Sequence, residues 1–401
     1  MKDINDINED IDTTVDSKKE NKKNKAFNKK LRISNKSDKP DNVVLRELKI
    51  EAECKEIEKL LPLFMSGFFS YLRSSLLPMS RLAYLQDIKF FFRYLVEETD
   101  LTTASDIRNI KSDELDRIKG IDINIFLDYC RSYTVEDEKS IQVYTNDNKA
   151  LSRKKSSLSV MFRYLYRENT LSENITDQFN PIRVPKRSEK EIKALQDDEV
   201  MKMLDAVSTG DHLTKKEKQY WEKTKKRDKA ILILFLTYGL RLSELQQLNV
   251  SSFNFSRGEF KIYRKRGKES LMPLNNRTVL KALDEYINGE RALYSSRITE
   301  GSEDALFLSL QGKRMTERQI RELVKKYTAI GMSTAKAAGY SPHKLRATAA
   351  TSLIGRGNSI YDVQELLDHE NVSTTQLYAA HKLNTKRELI SSFEWDDEFD
   401  R

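Results

Sequence analysis

The chain has little of what staples or anchors a protein. Its 401 residues include only two cysteines, Cys54 and Cys130. They show no metal-ligand spacing and form no disulfide framework, which points to a reducing, cytoplasmic setting. Both read as small buried hydrophobes. No apolar run approaches the roughly 18 residues that a membrane span needs. The best, Ala230 to Leu236, reads as a buried helix, and the polar N-terminus lacks a signal-peptide core. No carboxylate cluster suggests two-metal chemistry and no glycine-rich loop cradles a nucleotide, so no cofactor and no metal are expected.

What is abundant is charge. There are 70 basic and 62 acidic residues, a formal net charge of +8 and a pI of about 9.0. That balance favours an anionic partner such as nucleic acid, although alone it is a weak signal. Hydrophobic residues make up 38% of the chain, enough for globular cores. The length suggests two or three domains.

Residues 1–45 are rich in Asp, Asn and Lys and cannot bury enough apolar surface to offset chain entropy, so they read as a disordered tail. Lys18 to Lys30 could touch phosphates, but a solvated tail is the better reading. Residues 46–179 follow a helical pattern. Leu60, Leu61, Phe64, Phe68 and Leu72 open a series of apolar stripes that ends with Leu158, Met161, Phe162, Leu165 and Tyr166. The stripes read as core. Arg153, Lys154, Lys155 and Arg163, beside the last of them, are candidates for a face against a duplex backbone. Residues 180–194 form a basic linker in which Pro181 and Pro185 favour extended backbone and Lys186 and Arg187 are further DNA-contact candidates. A basic strap between two domains suits a protein that encircles a polyanion.

The second domain spans 195–385. A helix is expected over Asp197 to Ala206 and a buried one over Lys229 to Thr237, closed by Gly239. Phe253 to Leu274 alternates like short strands around a turn near Arg266 and Gly267. Everything after Asn275 looks helical. Residues 386–401 are acidic, with Phe393, Trp395 and Phe399 among carboxylates, and read as a docking segment, with another subunit's surface as a candidate seat. The fold class expected is mainly α with a small antiparallel β-sheet.

The chemistry concentrates in Ser341 to His381, which holds three of the four histidines. Ser341 and Pro342 signal a helix start, with the serine hydroxyl as cap. His343 and Arg346 are three apart and share a face near that N-terminus. His369 sits at an apparent helix end and Tyr378 follows it. Upstream lie Arg241 and, on the hairpin, Lys265. Taken singly, each residue is most often structural. Together, two arginines, a lysine, two histidines and a tyrosine suit a phosphodiester attacked by a protein nucleophile. Arg241 and Arg346 can clamp non-bridging oxygens with planar donors that stay charged. Tyr378, with an ordinary pKa near 10, needs a base or a cationic field. His343 can take its proton, Lys265 can protonate the leaving oxygen, and His369 can donate a hydrogen bond.

Leu240-Arg241-Leu242-Ser243-Glu244-Leu245, Lys265 in its hairpin, His343 with Arg346, His369 and Tyr378 resemble the active-site signature of the tyrosine recombinase (phage integrase) family in order and spacing. Arg227-Asp228-Lys229-Ala230 and Ser341-Pro342-His343-Lys344-Leu345-Arg346 are most similar to Xer-type members that act without a paired second recombinase, such as those of low-GC Gram-positive bacteria. The resemblance implies a two-domain C-shaped clamp, with a helical, SAM-like core-binding domain and a catalytic domain. It implies that Arg241, Arg346 and His369 hold the scissile phosphate and that Tyr378 forms a 3′-phosphotyrosine. It also makes Lys265 the general acid and His343 its acid/base partner, with Glu244 as a supporting carboxylate. It further implies a homotetramer on two double-stranded DNA sites, strand exchange through a Holliday junction, and room for a cell-division or accessory DNA-bending partner. Two positions depart from the pattern: Ala347 stands where His is frequent, and Asp368 where Gly is common. Lys268 is a second lysine on the same turn, and Lys265 matches the family spacing better.

Three function classes remain open on sequence alone. A recombinase, serving chromosome-dimer resolution or mobile-element integration, fits best. A type IB topoisomerase shares the chemistry. A binding module that has lost catalysis would have no reason to keep all six residues.

Overall fold

The computed structural model describes residues 39–137, 140–185, 193–264 and 267–368. The chain divides into two compact units between Pro185 and Lys186. Helices dominate both, with one small antiparallel sheet in each among the described residues.

The first unit begins with α1 (Asp41–Leu60), which starts directly after Pro40 and buries Val43 and Cys54. Helix therefore enters the segment expected as tail, because Val43 gives its first turn an apolar anchor. Helices α2 (Ser66–Ser75) and α3 (Pro78–Glu98) follow, α3 opening on proline at its first position. Then come α4 (Ser112–Asp116), α5 (Gly120–Tyr129) and α6 (Asn148–Arg167), the last capped by the Asp147 carboxylate accepting from Ala150 N at 2.8 Å. Phe68, Phe91, Phe126 and Phe162 are buried at the centre. Phe91 meets Phe126 edge-on at 5.1 Å, and burying each such ring stabilises the unit by roughly 1.5–3 kcal/mol. The apolar stripes are thus core, with the exceptions of Leu60 and Tyr166, which are exposed. Cys54 and Cys130 are free and buried, and burial pushes the Cys130 thiol up to about 12.

One element of this unit departs from the all-helical reading. Strands β1 (Ser132–Asp137) and β2 (Ser140–Thr145) pair antiparallel, from Ser132 with Thr145 to Asp137 with Ser140. Tyr133 stacks on Tyr144 at 5.3 Å on one face, while Ile141 and Val143 are exposed on the other. This is period-two alternation of β-branched and aromatic residues.

The second unit is built around α9 (Lys225–Tyr238), in which Ala230 to Phe235 are all buried. A helix apolar on every side belongs at the centre of a core. Around it pack α7 (Asp197–Thr209), α11 (Arg277–Asp284) and α14 (Pro342–Gly355). Between them come α8 (Lys215–Trp221) and α10 (Leu242–Gln246). Strands β3 (Phe253–Asn254), β4 (Glu259–Tyr263) and β5 (Glu269–Pro273) form one antiparallel sheet in sequence order. Helix α11 runs through a π turn, Glu285–Glu290, into the short α12 (Arg291–Leu293). The Glu290 carboxylate accepts from the N-terminal amides of α9, Lys226 N at 2.8 Å and Arg227 N at 3.4 Å. Helices α13 (Glu317–Gly331) and α15 (Ile360–Leu367) are the remaining α-helices of the unit among the described residues.

The stretch after Asn275 is not continuously helical. Residues 298–316 cross the unit in irregular backbone, bridged at Asn249 with Ala305 and at Leu308 with Arg314. Arg314 Nη1 donates to Gln246 O at 3.1 Å and Leu248 O at 2.9 Å, which supplies donors for carbonyls at the end of α10.

Candidate active site

Helix α9 ends at Gly239 in the left-handed region, φ 56°. A Cβ there would lie 2.5 Å from Leu367 Cδ2, so only glycine fits both the turn and the approach of α15. The chain then delivers Arg241 to the N-cap position of α10. Its backbone N donates to Glu244 Oε2 at 2.8 Å and its Nη1 to Glu244 Oε1 at 2.6 Å. Glu244 is buried, so this carboxylate fixes both the helix start and the guanidinium plane.

Arg346 comes from α14. The helix begins at Pro342, with Ser341 at the N-cap, but the serine hydroxyl makes no capping bond. Position and proline were legible; the hydroxyl's role was not. Arg346 is buried and His343, one turn earlier, is exposed. Sharing a helical face does not bring equal burial, because the face runs from the solvent edge into the core.

The C-terminus of α15 gathers three arginines. Arg264 Nη2 donates to Leu366 O at 2.9 Å, Arg346 Nη2 to Leu367 O, and Arg241 Nη2 to Asp368 O at 3.0 Å. Arg346 Nη1 also donates to Gly239 O at 2.6 Å. The last carbonyls of a helix lack internal partners and carry the negative end of its dipole, so they are natural seats for guanidiniums. Arg264 was not singled out from sequence. It is buried beside Met272, and burial pulls its pKa below the ordinary value against the opposing charges of Glu244 and Asp368.

Asp368 closes α15 in the left-handed region, φ 49°. Its carboxylate accepts from Lys268 Nζ at 2.7 Å and lies 3.9 Å from Arg241 Nη1 and 4.0 Å from Arg264 Nη1. Partial burial works against the charged form, but the Lys268 hydrogen bond and the neighbouring cations hold this carboxyl below the usual range. Lys268 follows the tight turn at Gly267, φ 70°, where Arg264 N donates to Lys268 O at 2.8 Å. Lys265, His369 and Tyr378 lie outside the described residues, as do Lys186, Arg187 and the segments 1–38 and 386–401.

The first unit requires a correction. Lys154 is buried, its ammonium 3.2 Å from Asp87 Oδ1 and 4.7 Å from the centre of the Phe90 ring. Arg153 Nη1 donates to Asp87 Oδ2 at 2.6 Å and to Ala83 O at 3.1 Å. Both charges are committed to a buried carboxylate on α3, so Lys154 is withdrawn from the duplex-facing candidates and Arg153 is weakened. Lys155 donates to Phe179 O and Asn180 O, tying α6 to the chain that leaves the unit. Arg163 is exposed.

Among the described residues no group of His, Cys, Asp and Glu could hold a metal ion, and no helix is long and apolar enough to cross a membrane. The family model for the phage integrase family matches residues 193–385. Tyrosine recombinase XerC of Caldanaerobacter subterraneus subsp. tengcongensis is 32% identical over 316 residues, 77% of this chain and 80% of that protein. The chain belongs to the tyrosine recombinase family. It is therefore a site-specific recombinase, and its relatives include XerD of Staphylococcus haemolyticus, 32% identical over 61% of this chain and 76% of that one. Solved structures share the fold at low identity. A XerH recombinase bound to palindromic difH substrate has a TM-score of 0.54 at 17% identity, covering 89% of this chain and 90% of that one. A lambda integrase dimer bound to a COC′ core site gives 0.52 at 16%, covering 83% and 96%.

Proposed function

We propose that this recombinase cuts double-stranded DNA at a specific site by attack of Tyr378 on a phosphodiester seated on Arg241 and Arg346. The observation that carries the reading is the convergence of those two arginines, from α10 and α14, on one helix end. A phosphodiester in flight gains negative charge on its non-bridging oxygens, and oriented guanidiniums stabilise that charge without moving. The exposed His343 takes the tyrosine proton, and the bond energy is kept in a 3′-phosphotyrosine. The 5′-oxygen leaves with a proton from Lys265 or Lys268. Lys265 fits the family spacing; the Lys268 ammonium reaches the arginine cluster through Asp368. His369 contacts the phosphate. Arg163, Lys186 and Arg187 are the proposed backbone contacts outside the site, and Lys155 joins them if its two carbonyl bonds open.

By likeness to relatives whose names mark them as Xer recombinases, the proposed working form is a homotetramer on two duplexes in the cytoplasm, resolving chromosome dimers. A lambda integrase tetramer bound to a Holliday junction shares the fold, TM-score 0.52 at 14% identity over 78% of this chain and 75% of that one. Mobile-element integration is the second reading, with the same chemistry.

The test is a nicked suicide duplex carrying a candidate site from the host genome, incubated without metal and run on a denaturing gel. A protease-sensitive covalent adduct that disappears in Tyr378→Phe supports the proposal. Adducts scattered over unrelated DNA would replace it with a topoisomerase, and site-bound protein with no adduct would leave a binding module.

A further inference from the structure

A left-handed helix end is ordinarily a glycine position, because only glycine enters that region without a Cβ penalty. Here an aspartate stands in it, at φ 49°. Aspartate tolerates the conformation better than most residues, but its side chain does more than fit. The carboxylate points into the cation cluster, bonded to Lys268 Nζ at 2.7 Å and within 4.0 Å of Arg241 and Arg264. Lys268 is otherwise well exposed, with 65% of its side chain accessible. An exposed lysine has many rotamers, and this one is drawn to a carboxylate that also lies 3.9 Å from Arg241 Nη1, whose nearer partner is Glu244 at 2.6 Å.

We propose that Asp368 is a built-in competitor for the phosphodiester: its carboxylate occupies the anion position of the Lys268–Arg241 cluster until DNA displaces it. The proposal rests on the reading of Arg241 and Arg346 as the phosphate clamp. A phosphate oxygen and a carboxylate oxygen seek the same donors at similar distances. When the phosphodiester arrives, Lys268 exchanges one oxygen ligand for the other, and Asp368 loses its ion pair beside a newly placed negative charge. Asp368 is thus a positioning residue. It holds Lys268 at the edge of the site before DNA binds, and it weakens the capture of DNA that does not engage the whole cluster.

The exchange has a signature that a structural role lacks. Removing the carboxylate frees Lys268 for phosphate and takes a negative charge from beside Arg241, which stays bonded to Glu244, so affinity rises, and the rise depends on Lys268 being present. The experiment measures binding of a short duplex of arbitrary sequence to the full chain by fluorescence anisotropy at low salt. It compares wild type, Asp368→Asn, Lys268→Ala, the double variant and Arg241→Ala. Asparagine keeps the shape and tolerance of the left-handed conformation; Asp368→Gly, with no Cβ at all, is the second variant. Both are checked by thermal melting.

The expected result is tighter binding by Asp368→Asn and Asp368→Gly, on the order of threefold to tenfold, as for gaining one phosphate contact. In the Lys268→Ala background the gain shrinks to less than about half on a logarithmic scale, because the two residues are coupled. Unchanged or weaker binding by folded Asp368→Asn and Asp368→Gly overturns the proposal. So does an equal gain in both backgrounds, which would reflect only the loss of one negative charge. Arg241→Ala separates the two levels: if it binds weakly while Asp368→Asn binds like wild type, only the competitor idea fails. If Arg241→Ala binds like wild type, the phosphate-clamp reading fails and takes the proposal with it.

Discussion

Arg241 and Arg346 donate to consecutive carbonyl oxygens, those of Asp368 and Leu367, at the end of one helix. Two residues more than a hundred positions apart in sequence are therefore registered against a common backbone scale. Arg264 takes the preceding carbonyl, Leu366. The site's cations are spaced by the rise of a helix end, and what disturbs α15 disturbs all three.

Arg346→Ala should therefore lower stability as well as activity. It strips hydrogen bonds from Gly239 O and Leu367 O in a buried setting, a loss of about 2–4 kcal/mol. Urea denaturation would show a lower midpoint. Covalent adduct on a suicide duplex should fall at least about a hundredfold, the scale of losing one preorganised donor to a developing oxyanion.

Gly239→Ala tests the close approach of α9 and α15. With φ at 56° and Leu367 Cδ2 in the path of a Cβ, the substitution should cost about 2–4 kcal/mol from backbone strain and displacement of α15. Adduct formation should fall with it, although glycine carries no chemistry. An alanine variant with wild-type melting and cleavage would contradict this packing.

Two carboxylates give the units opposite acid responses. Glu114 accepts from Thr103 N, Thr103 Oγ1 and Lys111 N, and chiefly these backbone bonds hold it down to about 2. Its stabilising contribution is present above the unfolded value near 4.5 and is lost as pH falls from there toward 2. Glu290 runs the other way: burial pushes it up to about 7 despite the amides of Lys226 and Arg227. Its contribution is present below about 4.5 and is lost as pH rises through 7. Glu290→Gln should flatten the decline of stability between those limits, and Glu114→Gln the decline on acidification. Calorimetry across pH 2–8 measures both.

The Asp87 network predicts that Lys154 is not a DNA contact. Lys154→Met should change duplex affinity by less than about twofold, whereas exposed Arg163→Ala weakens it roughly uniformly across sequences. Asp87→Asn should destabilise by about 3 kcal/mol, because it leaves two cations beside a neutral side chain in a buried setting. Equal losses of affinity in Lys154→Met and Arg163→Ala would refute the assignment.

Much of this was legible from local pattern. Gly239 as a helix stop, Pro342 as a helix start, the strands around Gly267 and the burial of α9 all follow from rules that act within a few residues. Glu244 was recognised only through the family resemblance, as a supporting carboxylate, and its N-cap pairing with Arg241 came from the structure. What escaped was set by distance in the fold. Lys154 was taken for a surface charge because Asp87, its partner on α3, is invisible in the sequence around it. The β1–β2 hairpin was read as helix because its strands are short and flanked by strong helical stripes. Arg264 and Arg314 serve carbonyls 102 and 66–68 residues away, and nothing near them in sequence announces it. Asp368 was noticed as a departure from glycine, but its meaning depended on Lys268 lying across the site.

The π turn at Glu285–Glu290 acquires a longer reach when α9 is viewed as an electrical object. Glu290 sits on the amides at its positive end, and Arg346 binds Gly239 O just beyond its negative end. Fourteen residues of helix, about 21 Å at 1.5 Å per residue, separate the two. The peptide dipoles between them are aligned, and each end is met by the opposite charge whenever Glu290 is ionised. A carboxylate on the far side of the unit thus belongs to the same axis as the arginine at the site, and because burial brings Glu290 up to about 7, the charge at that end varies with pH.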